Sequence, residues 1–392
     1  MTTAPMTAED VSVAENAAPG AASAPRAFEE IKPPLIFDEL RHGVLGQDKA
    51  LRFVAVAIFK HTTGKVPGNL MMIGNSGTGK TTVMNNIQRL YNTVPEYRPF
   101  RAVTIINANL LVDGDRMEFR PERLLSAVEQ RARAIAGAQP SPEALKAAME
   151  RATICIDEID KMAAVVAGKP NPIGVILQQG LLTMMEGETI AYPAHVWFHG
   201  EERRTTLEID TGRIMFICGG AFEGLYDQVY NRVLKPGSGE KLRTQTIRTA
   251  EGQVRIETRF ELGDYLKPKD LFEFGMVPQF MARFENTVLL YDLSHKVLKE
   301  ILLKSYESPF VRSRRFFKVM DIALEIDELA AALIAEEAVK DSRTGARALR
   351  PIFAEIVNPL EFDPWHSEAL VKRPEGGHLL RITADMARQV LK

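Results

Sequence analysis

Apolar positions fall into two regimes along the chain. From residue 69 to about 290, short continuous apolar runs alternate with stretches whose apolar residues recur at helical spacing. Leu70-Met-Met-Ile73, Val103-Thr-Ile-Ile106, Thr153-Ile-Cys-Ile156 and Ile214-Met-Phe-Ile217 predict four strands, and segments near 80–91, 121–136 and 173–186 predict the helices between them. Strands that are apolar throughout and joined by helical crossovers belong to a parallel sheet covered on both faces. From about Asp292 the pattern turns mainly helical, as in 294–304 and 327–340. The expected fold is therefore α/β, with a parallel-sheet large domain followed by a smaller, helix-rich α/β domain.

Two stretches interrupt the alternation, near 186–212 and 235–269. In the second, runs at 244–249 and 254–260 flank Ala-Glu-Gly-Gln and read as a β-hairpin. Both inserts are expected to stand away from the sheet core. Residues 1–30 are rich in Ala, Pro, Ser, Thr and Glu without periodicity, the composition of a disordered tail. The domain plan is a tail over 1–30, a large domain over 31–290 carrying both inserts, and a small domain over 291–392.

Composition narrows the function classes. The chain has 392 residues, 45% hydrophobic and 26% charged, with a formal net charge of −2. That charge gives no global drive toward nucleic acid or membrane. No apolar run is long enough to span a bilayer, and no basic-then-apolar leader opens the chain, so no membrane insertion and a cytoplasmic location are expected. Cys155 and Cys218 sit in apolar runs and read as reduced, buried thiols; without a C-x-x-C pair a four-cysteine zinc module is excluded.

Between the first strand and the first helix lies Gly74-Asn75-Ser76-Gly77-Thr78-Gly79-Lys80-Thr81-Thr82, which satisfies the phosphate-loop pattern in the required context. Its glycines let backbone N–H groups curl around phosphate oxygens, and the helix N-terminus adds a favourable dipole. Lys80 is positioned to reach the β and γ phosphates, and the Thr81 hydroxyl to ligate Mg2+. A second element, Ile154-Cys-Ile-Asp157-Glu158, delivers two acids at the C-terminal end of an apolar strand, where open parallel sheets bind ligands. Asp157 can hold Mg2+ through water, and Glu158 can orient and polarise the attacking water. Two helix-capping acids are the competing reading; the phosphate loop favours ATP hydrolysis.

These motifs and their surroundings resemble the AAA+ ATPases, and among them the ClpX unfoldases, from about residue 44 to 360. The resemblance implies an adenine-cradling segment at Val44, Leu45, Gly46 and Gln47. Phe216-Ile-Cys-Gly-Gly-Ala-Phe222 resembles the strand that supplies the sensor-1 position, but Cys-Gly-Gly offers no polar group there, so it carries no assigned role. Leu271-Phe-Glu-Phe-Gly-Met-Val-Pro-Gln-Phe-Met-Ala-Arg283 is similar to the segment ending in the arginine finger. Thr344-Gly-Ala-Arg347-Ala-Leu-Arg350 is similar to the sensor-2 motif. By that likeness Arg283 reaches a neighbouring subunit's γ-phosphate, Arg347 contacts its own subunit's nucleotide, and activity depends on a homo-oligomeric ring, expected to be a hexamer.

The sequence departs from ClpX in three places. A zinc-binding N-terminal domain is not expected, since residues 1–30 read as a disordered tail in its place. The stretch matching the peptidase-docking loop, Lys235-Pro-Gly-Ser-Gly-Glu-Lys241, has no apolar anchor, so no partnership with ClpP is expected. Finally, an ungapped match of Asn107-Ala108-Asn109 to the family's Asp-Ala-Thr sets Asp115, Arg116, Met117 and Glu118 where the pore loop carries Gly-Tyr-Val-Gly. An arginine ring favours carboxylates, phosphates or aromatic faces over a general apolar grip. A one-residue gap would instead put Phe119 at the tip.

Weaker signals are His195-x-x-x-His199, read as a surface hairpin rather than a metal pair, and the basic-aromatic run 312–318, read as a solvated edge with Phe316 and Phe317 in the small-domain core. The sequence reading is an ATP- and Mg2+-dependent ring ATPase that remodels or disassembles a specific protein partner. Two alternatives stay open: a nucleotide-gated scaffold or assembly factor that threads nothing, and a nucleic-acid translocase, disfavoured because the acids beside Arg116 would offset its charge.

Overall fold

The computed structural model of the chain describes residues 32–64, 68–113, 116–166, 168–248, 254–340, 344–374 and 376–391. The expected tail lies outside them, as do Asp115 and the turn of the predicted 244–260 hairpin. The described chain forms two structural units, neither of them one continuous stretch: one spans 60–73 and 99–289, the other the segments up to 59, 74–98 and 290 onward.

The first unit is built on a five-stranded parallel sheet: β1 (Leu70–Ile73), β2 (Val103–Asn107), β3 (Thr153–Asp157), β4 (Met215–Gly220) and β5 (Asn286–Leu289), in spatial order β5-β1-β4-β3-β2. β1 and β4 are buried at every position and β3 at all but its last, which is why they read as continuous apolar runs. In register, Leu70 faces both Ile217 and Asn286, and Thr153 faces both Met215 and Val103. The four predicted strands are present. β5 was not among them, because only Val288 of its four residues is buried and its pattern carries little signal.

Helices Pro121–Ala136, Pro142–Glu150, Pro172–Met185 and Leu225–Leu234 bury Leu124, Leu125, Leu145, Leu177, Leu181, Leu225 and Val229 in a core with Ile154, Ile156 and Phe216. Pro121, Pro142 and Pro172 start three of them, where the missing N–H costs nothing.

The insert near 186–212 corrects an expectation. It is one long hairpin, Thr189–Phe198 against Glu201–Asp210, turning at His199 and Gly200 with φ of +47° and +88°. It does not simply protrude: Tyr192, Ala194, Val196, Leu207 and Ile209 belong to the main core. Trp197 N–H donates to Pro140 O at 2.9 Å, the Tyr192 hydroxyl donates to Glu129 at 2.7 Å, and Arg133 donates to His195 O at 2.7 Å. Among the described residues no group of three His, Cys, Asp or Glu could hold a metal, and His195 sits 3.9 Å from Glu202 instead. The second insert pairs Arg243–Arg248 with Val254–Arg259, as the sequence predicted.

The other unit contains helices Pro33–Arg41 and Lys80–Thr93 and a helix-rich C-terminal subdomain. The subdomain has helices His295–Lys304, Pro309–Lys318, Glu328–Lys340, Leu349–Phe362 and Ala384–Val390 around a small sheet of β6 (Ile322–Ile326), β7 (Leu370–Lys372) and β8 (His378–Ile382), ordered β6-β8-β7. Ser294, Ser308 and Thr383 cap their helices by accepting N–H bonds from Val297, Val311 and Met386. Leu298, Leu302, Phe310, Phe317, Ile334, Phe353 and Leu380 form its core. Phe317 is buried as expected, but Phe316 is 47% exposed, so the run 312–318 places only one of its two rings in the core. Among the described residues no helix is long and apolar enough to cross a membrane.

Candidate functional site

The phosphate loop follows β1 directly and ends at the N-terminus of helix Lys80–Thr93. Gly77 and Gly79 hold φ of +73° and +107°, a left-handed backbone that L side chains resist, and a Cβ at Gly79 would meet only open space. Gly79 is also the helix N-cap and makes no side-chain cap bond, and a helix N-terminus of this kind suits an anion. The Lys80 side chain is buried, its ammonium donating to the carbonyls of Gly74 and Asn75 within the loop. Thr78 braces the same curve, its hydroxyl donating to Asn75 O at 2.8 Å. These features form a backbone cradle with a central cation, a chemistry matched to a polyphosphate.

Gln47 belongs to the segment that the resemblance assigns to adenine, and its side chain is bonded within the chain. Its amide is buried and donates to Thr78 O at 2.9 Å and Tyr291 O at 2.8 Å, while its oxygen accepts Tyr291 N–H at 3.1 Å. One side chain therefore ties the phosphate loop to the segment that opens the C-terminal subdomain. Val44 is buried beside it, and Gly46, at φ +77°, lies against Val297 and Leu293, where a Cβ would collide with Val297 at 2.6 Å. Asn75 is tethered as well, donating to Asp292 at 2.9 Å.

Arg347 also reaches the loop, its guanidinium donating to the Ser76 hydroxyl at 2.7 Å. It is carried by the turn Gly345–Ala348, which is seated on the loop backbone: Ala346 N–H donates to Gly77 O at 3.1 Å, and Gly345 has φ +54°. A Cβ on Gly77 would lie 2.0 Å from Thr344 O, and one on Gly345 would lie 2.8 Å from the Gly77 carbonyl carbon. Two glycines permit this approach.

In the sheet unit, Asp157 ends β3 and Glu158 follows in left-handed backbone, φ +59°. Asp157 turns a carboxylate oxygen back to accept Glu158 N–H at 2.9 Å. The Glu158 carboxylate is exposed and accepts the Asn107 amide at 2.6 Å. Asn107 ends β2 and faces Asp157 in register, so neighbouring strand ends place all three side chains on one edge. The following turn, Ile159–Met162, is strapped to the exit of β4: Asp160 is buried and accepts Ala221 N–H at 3.2 Å, and a Cβ on Gly220 would lie 2.6 Å from its oxygen. Burial pushes the Asp160 carboxyl up, offset by Lys161 and by the N–H groups of Phe222 and Ala221. The absence of a Cβ at Gly220 thus leaves room for the acid carried by the turn that follows β3. Burial pushes both cysteine thiols up, and neither is a nucleophile.

Arg283 lies just beyond the short helix Pro278–Met281 with 42% of its side chain exposed, paired in the same chain with Glu186. An exposed pair of this kind is worth roughly 0–1 kcal/mol, so the guanidinium can be given up to a stronger anion. Arg116 and Met117 form an exposed turn, Met117 at φ +52°, between the short strands Val112–Asp113 and Glu118–Phe119. The Arg116 guanidinium forms no ion pair among the described residues; Asp113 is occupied by Arg120 at 3.0 Å and accepts the Arg116 backbone N–H. Phe119 is not at the tip, as the gapped alternative required. Its ring lies on Gly180, where a Cβ would come within 2.2 Å of it.

The sequence profile described as AAA domain (Cdc48 subfamily) matches residues 65–287. The ATP-dependent Clp protease ATP-binding subunit ClpX of Bacteroides thetaiotaomicron is 28% identical over 384 residues, covering 92% of this chain and 82% of the relative. The ClpX subunit of Bacteroides fragilis is 28% identical over 354 residues, covering 85% and 77%. With the phosphate loop, the acidic strand end and the five-stranded parallel sheet, the profile match means that this chain belongs to the AAA domain (Cdc48 subfamily) family and carries an AAA+ ATPase domain related to ClpX.

Proposed function

We propose that the chain is a ring-forming ATPase that uses ATP hydrolysis to remodel or disassemble a specific protein partner, without a ClpP-type peptidase. In this reading residues 74–82 hold the phosphates with Lys80, and Thr81 and Asp157 supply hard oxygen donors suited to Mg2+. Bound Mg2+ would neutralise charge on the β and γ phosphates. Glu158 polarises the attacking water, Arg347 contacts the nucleotide of its own subunit, and Arg283 contacts that of the next. The ring is expected to be a hexamer.

The observation that carries the specificity half of the proposal is the exposed Arg116–Met117 turn, with Phe119 folded onto Gly180. Among the described residues the Arg116 guanidinium forms no ion pair, and a guanidinium at that turn favours anionic or aromatic groups over a general apolar grip. The loop 235–241 supports the absence of a peptidase partner. Its residues are polar or small, and its root is fixed by Arg232, which bonds Asp270 at 2.7 Å and Glu240 at 2.8 Å. It presents no apolar side chain to fill a pocket.

The test is a Glu158→Gln ring loaded with ATP. It should bind nucleotide as the parent does, show no turnover, and retain a protein partner that mass spectrometry identifies. Turnover at the parent rate would remove Glu158 from its role. Stimulation of the parent ATPase by single-stranded nucleic acid, with steep salt dependence, would favour the translocase reading instead. A ring that assembles with ATP but responds to neither class would be a scaffold.

A further inference from the structure

Helix Pro172–Met185 carries a glutamine, Gln178, with no exposed surface. A buried primary amide needs partners for its donors and its acceptor, and the partners it finds define what it holds together. Its Nε2 donates to Met162 O at 2.8 Å and to Gly275 O at 3.3 Å, and its Oε1 accepts Val277 N–H at 2.7 Å. Met162 closes the turn that Glu158 begins. Gly275 and Val277 lead into Pro278–Met281 and Arg283. One side chain therefore joins the turn behind the catalytic acid to the segment that presents the arginine.

The joint is reinforced on both sides. Ala164 N–H donates to Gly275 O at 2.7 Å, and Gly275 holds φ +110° with no room for a Cβ, which would come within 3.0 Å of the Ala164 and Val165 nitrogens. Asn171, the N-cap of the same helix, donates to Ala163 O at 3.1 Å. At the helix's other end, its C-cap residue Glu186 pairs with Arg283. The helix thus grips the Glu158 turn at its start, the Arg283 segment at its middle, and Arg283 itself at its end.

We propose that Gln178 is a positioning residue that couples the Glu158 end of β3 to Arg283, so that the nucleotide state sensed by one subunit sets how that subunit offers its arginine to the next. This rests on the reading above, in which Glu158 serves hydrolysis and Arg283 acts in trans. Apolar packing lets elements slide, but a buried amide is directional. Moving Met162 without Gly275 and Val277 strands a buried polar group, so the two segments shift as one.

The coupling is tested with the full chain bearing Gln178→Leu, Arg283→Ala, or both. ATP affinity and ring assembly are measured first, then turnover against protein concentration. Gln178→Leu should bind ATP within about twofold of the parent and lose up to roughly a hundredfold of its ring-dependent turnover, the scale on which a remote misplacement acts. The double variant should be no slower than Arg283→Ala alone. Parent-level turnover in Gln178→Leu, or losses that multiply in the double variant, would overturn the coupling. Parent-level turnover in Arg283→Ala alone would instead remove the trans-arginine reading beneath it. If Gln178→Leu fails to fold, Val277→Pro removes the N–H donor at a residue whose φ of −67° already suits proline, and it must show the same non-additivity.

Discussion

Asn107 donates its side-chain amide to the Glu158 carboxylate at 2.6 Å, from the strand end directly beside Asp157. The bond fixes an acid whose backbone is otherwise strained, since a non-glycine residue at φ +59° costs about 1 kcal/mol. A charge-assisted hydrogen bond at a strand end orients the carboxylate toward the edge where the ligand is expected. Asn107→Ala should leave ATP affinity near the parent value and lower turnover by about tenfold, the scale of losing one bond to a charged group. Steady-state kinetics beside equilibrium nucleotide binding decides it. An unchanged turnover number would show that Glu158 needs no such orientation.

Gly345 on Gly77 makes a second prediction. The two glycines let the turn Gly345–Ala348 lie on the phosphate loop and bring Arg347 to Ser76. Gly345→Ala places a methyl group 2.8 Å from the Gly77 carbonyl carbon at a φ of +54° that alanine resists. The turn must lift, and Arg347 moves with it. Gly345→Ala should therefore reproduce the nucleotide-binding defect of Arg347→Ala, each weakening ATP by roughly tenfold, as the loss of one charge-assisted contact does. Titration with a fluorescent nucleotide measures both, and a Gly345→Ala chain that binds like the parent would separate the turn from the site.

Much of this arrangement was legible in the sequence, and the remainder was hidden for definite reasons. β1, β3 and β4 are buried along nearly their whole length, so their composition announced them. β5 shows one buried residue, Val288, and announced nothing. In the 186–212 insert, Tyr192, Ala194 and Val196 alternate toward the core, but an alanine, a proline and a histidine on the other face disguised a strand that belongs to the core. The phosphate loop and the Asp157–Glu158 pair are local strings and could be read directly. Gln47, Asn107 and Gln178 could not, because each acts through a distant partner; Gln47 reaches Tyr291 across 244 positions. A buried amide's role depends on which backbone groups the fold brings to it, and no local pattern records that.

The turn at Arg116 and Met117 sets a third expectation. It is exposed, and among the described residues Asp113 pairs with the Arg120 guanidinium while accepting only the backbone N–H of Arg116. If the turn contacts the protein partner, Arg116→Ala should reduce partner-stimulated turnover and leave basal turnover unchanged. Arg116→Tyr should restore an apolar grip and broaden the range of proteins that stimulate the enzyme. Assays with the trapped partner and with an unrelated unfolded protein distinguish these effects. Partner stimulation unaltered in Arg116→Ala would take the turn out of substrate contact.

His61 supplies a prediction about stability that is independent of the nucleotide. The ring is buried, packs edge-on against Phe100 with centroids 5.2 Å apart, and its Nε2 lies 3.2 Å from Arg151 O. That contact requires the neutral ring to carry its proton on Nε2 and donate it. Burial lowers the pKa from 6.5 to about 4, only partly countered by the Arg151 carbonyl. Because the folded value is depressed, the stabilisation is fully present above pH 6.5 and is lost as pH falls from there toward 4, where the folded ring too takes up a proton. The whole interval corresponds to about 3 kcal/mol, of which about 2 kcal/mol is lost by pH 5. His61→Gln keeps an N–H donor for Arg151 O but does not titrate. Urea unfolding at pH 7.5 and pH 5 should show a pH-dependent loss smaller in the variant by about 2 kcal/mol. The same pH dependence in both chains would mean that the acid sensitivity of the fold arises elsewhere.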